Sequence, residues 1–456
     1  MARSIADVIL GFAATVALVV LGVHFYLWHR LVRATTLPGR LRRVLTVVLV
    51  ALGVLVPVTF VGSRMEWGHW LAWPGFLWLA IMFYLVVYLV VLEVPRFVAN
   101  RVVRRGVGDR APVDAQPASP AEVPSGAPAT AATVASPTAA SASASVVGAA
   151  TAQVAAKPAV ASSTPPAAAP RPELLTRRLF VARTAALAAG VGALGTVGYG
   201  IGTALGDPVI EPVKVTLPKL DPRLSGLRFA VVSDIHLGPL TGLDHSERIV
   251  RMINDLKPDV VAIVGDLVDG TVAELGRFAQ PLGELRSRYG SYFVTGNHEY
   301  YTANGPDEWV QELDELGVRS LRNSRVEIAH GGAVLDLAGV NDVNGTSFDD
   351  GPDFEAALGG RAPGRSTVLL AHQPLQVRQA SAFGVDLQLS GHTHGGQMVP
   401  FNLVVPLQQP VVSGLKTVGG VQVYVTRGAG FWGPPVRVGA PPEITLLEIG
   451  AAGGRT

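Results

Sequence analysis

The chain has 456 residues, no cysteine and a formal net charge of +2, and its mean hydropathy of +0.35 is high for a soluble protein. The absence of cysteine excludes disulfide frameworks and thiolate chemistry. The charge is divided unevenly: residues 1–206 carry 17 basic and 7 acidic residues (+10), whereas residues 207–456 carry 20 and 28 (−8). Because an acidic second half opposes binding of a polyanion by bulk electrostatics, we expect no nucleic-acid partner.

Three long apolar runs occupy the first hundred residues, at 5–28, 41–61 and 71–92. Each is long enough to cross a bilayer core, and the first is too long for the apolar region of a signal peptide. Arginines cluster in the loop at 30–43 and again at 96–110. The positive-inside rule therefore places both clusters in the cytoplasm and the amino terminus outside.

Residues 107–172 are rich in Ala, Pro, Ser and Thr and contain no aromatic residue. Such a composition cannot bury enough apolar surface to order itself, so this segment is predicted to be a disordered linker. The sequence therefore predicts four parts: a transmembrane region (1–106), the linker (107–172), an anchor (173–206) and a second-half domain (207–456).

The anchor begins with Thr176-Arg177-Arg178-Leu179-Phe180-Val181, followed by a Gly/Ala-rich apolar run at 184–205. This resembles a twin-arginine export signal, except that it is internal and that Val181 replaces the usual Leu. The alternative is a fourth membrane helix whose arginines obey the positive-inside rule. Either interpretation places the domain after residue 207 outside the cytoplasm, as part of a multi-pass protein of the cell membrane.

Five short apolar runs of the second half each end in side chains that can bind metals. Buried parallel strands have this composition, and α/β sheets place their sites at the carboxyl ends of strands. The ordered set therefore predicts a metal site at one sheet edge. The runs are 229–232 before Asp234 and His236, Val260–Val264 before Asp266 and Asp269, 292–294 before Asn297, His298 and Glu299, 368–370 before His372, and 385–389 before His392 and His394.

The remaining patterns predict an α/β domain whose second part is richer in strands. Apolar residues recur at helical spacing over 243–256, 272–285 and 309–316. Further strands are predicted at 326–328, 334–340, Val421–Val425 and 444–449, with a turn at Gly331-Gly332 between the first two.

The motif order D-x-H, G-D-x-x-D, G-N-H-E, a single His and G-H-x-H, at the positions given above, resembles the calcineurin-like metallophosphoesterase superfamily. Residues 227–449 carry the resemblance, and the Gly296–Tyr301 stretch and the tail at 428–444 are similar to its membrane-tethered phosphodiesterase branch. The resemblance implies a four-layer αββα sandwich of class α/β, here preceded by an α-helical transmembrane region.

The resemblance also implies two divalent metal ions and assigns their ligands. Asp266 would bridge the ions, because a carboxylate can offer one oxygen to each. Nitrogen and oxygen ligands without thiolate suit Mn, Fe or Zn. A metal-activated hydroxide would attack the phosphorus, and His298 would assist the leaving group as a general acid. The other assigned ligands are Asp234, His236 and His394 for the first ion, and Asn297, His372 and His392 for the second.

Several polar residues near the motifs are expected to play lesser roles. Asp269 is expected to orient a ligand or cap a helix, and Glu299 to hold a neighbouring imidazole. His245 follows no motif and is expected at the surface. Arg427 and Arg437 either contact a phosphate or are ordinary surface arginines.

Two functions of different classes remain open. The first is a membrane-anchored two-metal phosphoesterase acting on phosphodiesters near the membrane, whether lipid-linked or wall-linked. The second is a catalytically idle metal-binding sensor or assembly factor; the complete ligand set favours the first. The twin-arginine export machinery would be a partner if residues 176–181 are a signal. Only residues 207–225 separate the last apolar run from the first predicted strand, so the domain is expected to lie close to the bilayer.

Overall fold

In the computed structural model, which describes residues 5–63, 66–108 and 172–452, the second half of the chain forms two six-stranded sheets. The first sheet has the order β1-β12-β2-β3-β4-β5, and the second has the order β10-β11-β9-β8-β7-β6. The strands are β1 (Val209–Leu217), β2 (Arg228–Val232), β3 (Val260–Val264), β4 (Ser291–Val294), β5 (Val318–Ser320), β6 (Ser324–His330), β7 (Ala333–Gly339), β8 (Thr367–Leu370), β9 (Leu387–Ser390), β10 (Gly414–Val418), β11 (Val421–Val425) and β12 (Glu443–Ala451).

Both sheets are mixed, and their centres are parallel. Strands β2 to β5 pair in parallel, as do β7, β8, β9 and β11. Strands β6 and β10 pair antiparallel to their neighbours at opposite edges of the second sheet. The carboxyl ends of the parallel strands therefore meet at one edge of each sheet.

Nine α-helices occur in the described residues. Four precede the domain: α1 (Ile5–Leu27), α2 (Arg40–Gly62), α3 (Ala72–Gly108) and α4 (Pro172–Leu205). Five belong to it: α5 (Gly242–Leu256), α6 (Val272–Ala279), α7 (Asp307–Glu315), α8 (Phe354–Leu358) and α9 (Val377–Ala380).

The layers follow from the alternating faces of the strands. One core lies between the two sheets and joins Phe229 and Val231 to Leu337 and Val368. A second core joins the outer face of the first sheet to α5, α6 and α7, and a third joins the second sheet to α8 and α9. The predicted four-layer αββα sandwich is confirmed.

Two local predictions differ from the structure for identifiable reasons. The predicted helix at 272–285 ends at Ala279, and a 3₁₀ turn over Gln280–Glu284 follows. Pro281 lacks an amide hydrogen and its ring opposes continuation of the helix. The stretch after residue 207 is not a simple connection, because β1 pairs in parallel with β12 along its whole length. The first strand therefore follows α4 almost directly.

Three of the described helices are long and apolar enough to cross a membrane, namely Arg40–Gly62, Gly68–Pro95 and Thr176–Leu205. They coincide with the apolar runs predicted at 41–61, 71–92 and 184–205. The run at 5–28 falls on α1, in which the side chains of residues 5–14 and 16 lie outside the described part of the chain. The predicted linker, apart from its ends, also lies outside the described residues.

The chain divides into two compact units, Met1–Val94 with Leu179–Thr456 and Pro95–Arg178. Within the first unit, the long apolar helices pack against one another and against the sandwich. The Tyr88 and Thr196 hydroxyls lie 2.6 Å apart between α3 and α4. The backbone amide of Arg437, in the domain, donates to the carbonyl of Gly200 in α4 (2.9 Å). Val436 of the domain belongs to the same buried apolar cluster as the helices.

Candidate metal centre

The five predicted strand ends converge on one buried cluster. Strands β2, β3 and β4 of the first sheet and β8 and β9 of the second all end there. Most of the predicted ligands are almost inaccessible to solvent, while His298 and His392 are partly exposed. The eight predicted site residues that converge here are Asp234, His236, Asp266, Asn297, His298, His372, His392 and His394.

The first group of candidate ligands joins the two sheets. Nε2 of His394 lies 3.3 Å from Oδ1 of Asp234 and 3.1 Å from Nε2 of His236. The two imidazoles stack with their ring centroids 5.0 Å apart. Nδ1 of His236 lies 2.9 Å from Oδ1 of Asp269, which leaves Nε2 facing the cluster. This carboxylate therefore orients the ring in the way that metal-ligating histidines are commonly oriented.

The second group surrounds Asp266. Oδ2 of Asp266 lies 3.2 Å from Nε2 of His372 and 3.9 Å from Nε2 of His236, so one carboxylate reaches both groups. Nδ1 of His372 lies 2.8 Å from the carbonyl oxygen of Val264, which fixes the orientation of this ring. The rings of His372 and His392 meet edge to face with centroids 5.1 Å apart.

Two buried atoms of this cluster have no well-formed hydrogen bond among the described residues. Oδ1 of Asn297 has no partner, and Nε2 of His372 has only its 3.2 Å contact with the Asp266 carboxylate. A buried polar atom without a partner is destabilising unless something else binds it. Both atoms are good ligands for a divalent cation, so the residues fit the metals that the sequence predicts.

Candidate ligand atoms lie within 4.8 Å of one another in three sets. Two sets of histidine and carboxylate atoms agree with the predicted division between the metals. The third contains His298, which the sequence assigns to catalysis rather than to metal binding. The sets are Asp234, His236 and His394; Asp266, His372 and His392; and His236, Asp266 and His298.

The backbone of the cluster adopts conformations that residues other than glycine rarely adopt. Five of the predicted ligands have positive φ values, a region that non-glycine residues rarely occupy. They are Asp234 (52°), His236 (48°), Asp266 (51°), His392 (72°) and His394 (50°). Strain of this kind concentrates at functional sites, where the surrounding structure maintains it.

Two glycines allow the strand ends to come this close. A Cβ atom on Gly391 would overlap the side chains of Ser233 and Asp234, and one on Gly296 would overlap Asp266. The glycines of the G-H-x-H and G-N-H-E motifs thus make room for the carboxylates.

The charges of the cluster are strongly coupled. Burial favours the neutral form of Asp266, but His372 and His298 outweigh it and hold the pKa of this carboxyl well below its ordinary value. Burial opposes the charge on His372, yet Asp266 raises the pKa of that imidazole well above its ordinary value. Burial, and then His372, lower the pKa of His392 to about 3. His392 is therefore neutral at neutral pH, as a metal ligand must be, whereas His372 would have to give up its proton on binding a metal.

His298 is placed differently from the ligands. Its Nδ1 lies 2.6 Å from Oδ1 of Asp269. Burial opposes its positive charge, but Asp266 and Asp269 outweigh that effect and raise the pKa of His298 to about 9. Tyr301 and Trp432 flank the ring, with centroids 5.3 and 5.9 Å away.

Asp269 resolves one of the alternatives left open by the sequence. Its carboxylate contacts both His236 and His298, whereas Thr271 and Glu274 form the capping box of the next helix. Asp269 therefore orients imidazoles. The flanking rings of Tyr301 and Trp432 were not foreseen, because aromatic residues carry no recognisable ligand spacing.

Three of the lesser expectations are wrong. Glu299 holds no imidazole; its carboxylate accepts hydrogen bonds from the amides of Asp266 (3.1 Å), Leu267 (2.8 Å) and Gly296 (2.6 Å). His245 is buried, not at the surface. The guanidinium of Arg437 is fully buried and donates to the carbonyls of Gly430 and Ala440, so it is neither a surface group nor free for a phosphate.

Arg427 is also occupied by the protein, because it pairs with Glu211 (3.1 Å) and Glu443 (2.9 Å). The sequence could not reveal these pairs, since their members come from distant segments. The tail arginines therefore stabilise the loops around the cluster.

Comparisons with known proteins agree with the geometry. The family model for the calcineurin-like phosphoesterase domain matches residues 227–396. A Danio rerio protein described as a transmembrane protein with metallophosphoesterase domain is 41% identical over 260 residues, which cover 55% of this chain and 59% of that protein. This chain thus spans less than two thirds of that relative's length.

Two bacterial relatives are matched more completely. An uncharacterized metallophosphoesterase of Helicobacter pylori is 39% identical over 262 residues, covering 56% of this chain and 68% of that protein. Another, of Aquifex aeolicus, is 34% identical over 248 residues, covering 54% of this chain and 92% of that protein.

Proposed function

Because the chain belongs to the calcineurin-like metallophosphoesterase family, we propose that it is a membrane-anchored phosphoesterase that holds two divalent cations and hydrolyses phosphodiesters. The observation that carries the proposal is a pair of buried ligand atoms without a well-formed hydrogen bond, Oδ1 of Asn297 and Nε2 of His372, the second of which contacts only the Asp266 carboxylate. Both belong to loops in contact with Asp266, whose carboxylate reaches ring nitrogens on either side. This arrangement is what a pair of cations sharing one carboxylate requires.

The proposed division of ligands follows the geometry. Asp234, His236 and His394 would hold the first cation, and Asn297, His372 and His392 the second, with Asp266 shared between them. Mn, Fe and Zn all suit these nitrogen and oxygen ligands. Bound cations of this kind supply Lewis acidity and a water that is deprotonated at neutral pH.

His298 is the proposed general acid. With its pKa raised to about 9, the imidazole is protonated at neutral pH. Asp269 holds Nδ1, so Nε2 is the nitrogen available to the substrate. When the bond between phosphorus and the departing oxygen breaks, that oxygen takes the proton from His298, while water provides the new oxygen on phosphorus. Since the side chain is 11% exposed, it can contact a substrate at the edge of the cluster.

The alternative function is a metal-binding sensor or assembly factor without catalysis. The two are separated by loading the purified full chain in detergent with Mn²⁺, Fe²⁺ or Zn²⁺ after chelation. Hydrolysis of a soluble chromogenic phosphodiester that depends on the added metal supports the enzyme. Two bound metals per chain without turnover of any phosphodiester or phosphomonoester would exclude it.

The proposed topology has four membrane spans, with the linker in the cytoplasm and the sandwich outside. The arginine clusters support this orientation, and α4 continues without a break through Arg177 and Arg178. We favour a retained helix, and insertion through the twin-arginine machinery is the alternative route. Protease added to intact cells should cleave the sandwich but not residues 111–172; the reverse pattern would contradict the topology.

A further inference from the structure

One loop beside the metal centre has the character of a membrane segment. We call Met398–Gln408 the apolar loop. No charged residue occurs from Gly395 to Leu415. In the loop, Phe401 is 50% exposed, Leu403 73% and Leu407 87%. Contiguous apolar exposure of this kind marks an interaction surface rather than an ordinary water-facing loop.

The apolar loop has a defined structure in which most of its backbone amides are hydrogen-bonded. Two successive 3₁₀ turns, Phe401–Leu403 and Val405–Leu407, contain it. The amides of Leu403, Val404 and Leu407 donate to carbonyls within the loop at 2.8–3.0 Å. Internal pairing of backbone groups is what a hydrocarbon environment demands of any segment that enters it.

Side chains fix the loop at both ends. The side-chain amide of Gln397 donates to the carbonyl of Trp432 and accepts from its backbone amide, at 3.0 Å each. The side chain of Gln409 accepts from the Leu375 amide and donates to the side chain of Gln373. His394, a candidate ligand, lies only four residues before Met398. The position of the loop is therefore coupled to the metal centre.

Helix α2 locates the membrane boundary on the domain's side. Its uncharged stretch between Arg43 and Arg64 has twenty residues, about 30 Å of helix, which equals the thickness of a bilayer core. The end of α2 at Gly62 therefore marks the boundary, and Leu71 packs directly against Gly62. Ala72, the first residue of α3, lies at the same level.

The apolar loop reaches below this boundary. Val399 and Pro400 line a groove of about 610 Å³ together with Tyr84 and Tyr199 of the membrane helices. Tyr84 lies twelve residues after Ala72, about 18 Å along α3. Val399 and Pro400 therefore lie beside the span of α3 rather than beside its first turn.

We propose that the apolar loop is inserted into the hydrocarbon of the leaflet next to the domain, so that the metal centre opens at the membrane surface and receives phosphoesters carried by lipid head groups. Trp432 connects the two regions, because its ring contacts His298 (5.9 Å) and Phe60 of α2 (6.4 Å). Insertion of the loop follows from depth and exposure alone, whereas the substrate class rests on the proposed function.

The absence of cysteine from the chain permits a direct test of insertion. Leu403→Cys and Leu407→Cys are each labelled with an environment-sensitive fluorophore in the full chain, reconstituted in phosphatidylcholine nanodiscs. Ala329→Cys is the control, because this exposed residue lies at the opposite end of the second sheet from the centre. We expect blue-shifted emission, quenching by lipids brominated on their acyl chains and protection from iodide at 403 and 407 only.

Other occupants of the loop surface give different results. If labels at 403 and 407 are quenched by iodide as strongly as the label at 329, the loop faces water and the proposal is wrong. If they are shielded from both iodide and brominated lipid, a second protein copy or another protein covers the loop, which also overturns it.

A second measurement tests the substrate class. The double variant Leu403→Glu/Leu407→Glu should lose most hydrolysis of a phospholipid in vesicles while keeping that of a soluble chromogenic diester. Equal loss on both substrates, or none on vesicles, would contradict delivery by lipid. If the parent chain hydrolyses neither the phospholipid nor the soluble diester, the proposed function is wrong. The fluorescence measurement would still decide whether the loop is inserted.

Discussion

The loop that follows β9 and the apolar loop are neighbours in sequence with opposite patterns of burial. His392 and His394 carry ionisable groups into the interior, whereas Leu403 and Leu407 carry aliphatic side chains to the exterior. A soluble domain normally does the reverse. We infer from this difference that a non-protein partner completes each region, metal ions for the buried cluster and lipid for the apolar loop.

The proposed non-protein partner differs between the buried cluster and the apolar loop. Buried imidazoles and carboxylates are destabilising unless they are paired, and a cation pairs several of them at once. Each Å² of aliphatic surface left in water costs roughly 25 cal/mol of free energy, and contact with hydrocarbon removes this cost. The predictions below compare variants of the metal cluster with control variants elsewhere in the domain. The nanodisc experiment tests the apolar loop.

The largest effect is expected from Asp266→Ala, which removes the carboxylate that both ligand groups contact. Activity should fall on the order of a thousandfold or more, because electrostatic stabilisation of the transition state is lost. Metal content, measured by mass spectrometry of the purified full chain, should fall at both sites together. The exposed Asp314→Ala variant is the matched control; loss of only one metal in Asp266→Ala would refute a shared ligand.

His298→Asn should separate proton transfer from metal binding. We expect an activity loss of about 100- to 10,000-fold, the usual contribution of a general acid, with metal content unchanged. The loss should shrink on a diester with a good leaving group, which needs less protonation. His330→Asn, at the far end of the second sheet, serves as the control. A fall in metal content would instead make His298 a ligand, in agreement with its place in the third candidate set.

Glu299→Gln tests whether the cluster depends on its backbone support. The buried carboxylate accepts three amide hydrogen bonds, and a glutamine side chain offers one oxygen in place of two. We expect a loss of about 1–3 kcal/mol in stability, the usual effect of leaving a buried amide unpaired, seen as a lower thermal midpoint of the full chain in detergent. The exposed Glu284→Gln variant should not change the midpoint.

The smallest effect concerns acid sensitivity away from the cluster. Burial and the Arg248 guanidinium lower the pKa of His245 from 6.5 to about 4. The unfolded chain therefore takes up a proton at higher pH than the folded chain, and stability falls as pH drops from about 6.5 towards 4. At about pH 5 the loss is about 2 kcal/mol. The thermal midpoint of His245→Gln should fall less between about pH 7 and pH 5 than that of the parent chain. An equal fall would show that other groups control acid unfolding.

Much of the sandwich was predictable because local patterns report burial. The strand at Val260–Val264 and the helix at Gly242–Leu256 match their predicted positions to within one residue. Strand β1 was not predicted from the sequence, because Pro212 and the alternating exposure of its residues are also typical of a connecting segment. Its pairing with β12 identifies it as a strand. Edge strands depend on pairing that no local pattern reveals.

The sequence by itself determined the order of the motifs, and therefore the family and the candidate ligands. Strand periodicity and the presence of ligand residues at strand ends are local properties, so they can be recognised in the sequence without knowledge of the fold. Only the tertiary structure decided that Asp269 orients two imidazoles, that Glu299 binds amides and that Arg437 is buried. It also decided that Val399 and Pro400 of the apolar loop share a groove with Tyr84 of α3 and Tyr199 of α4. These features depend on contacts between distant segments, whose geometry exists only once the two sheets have packed together.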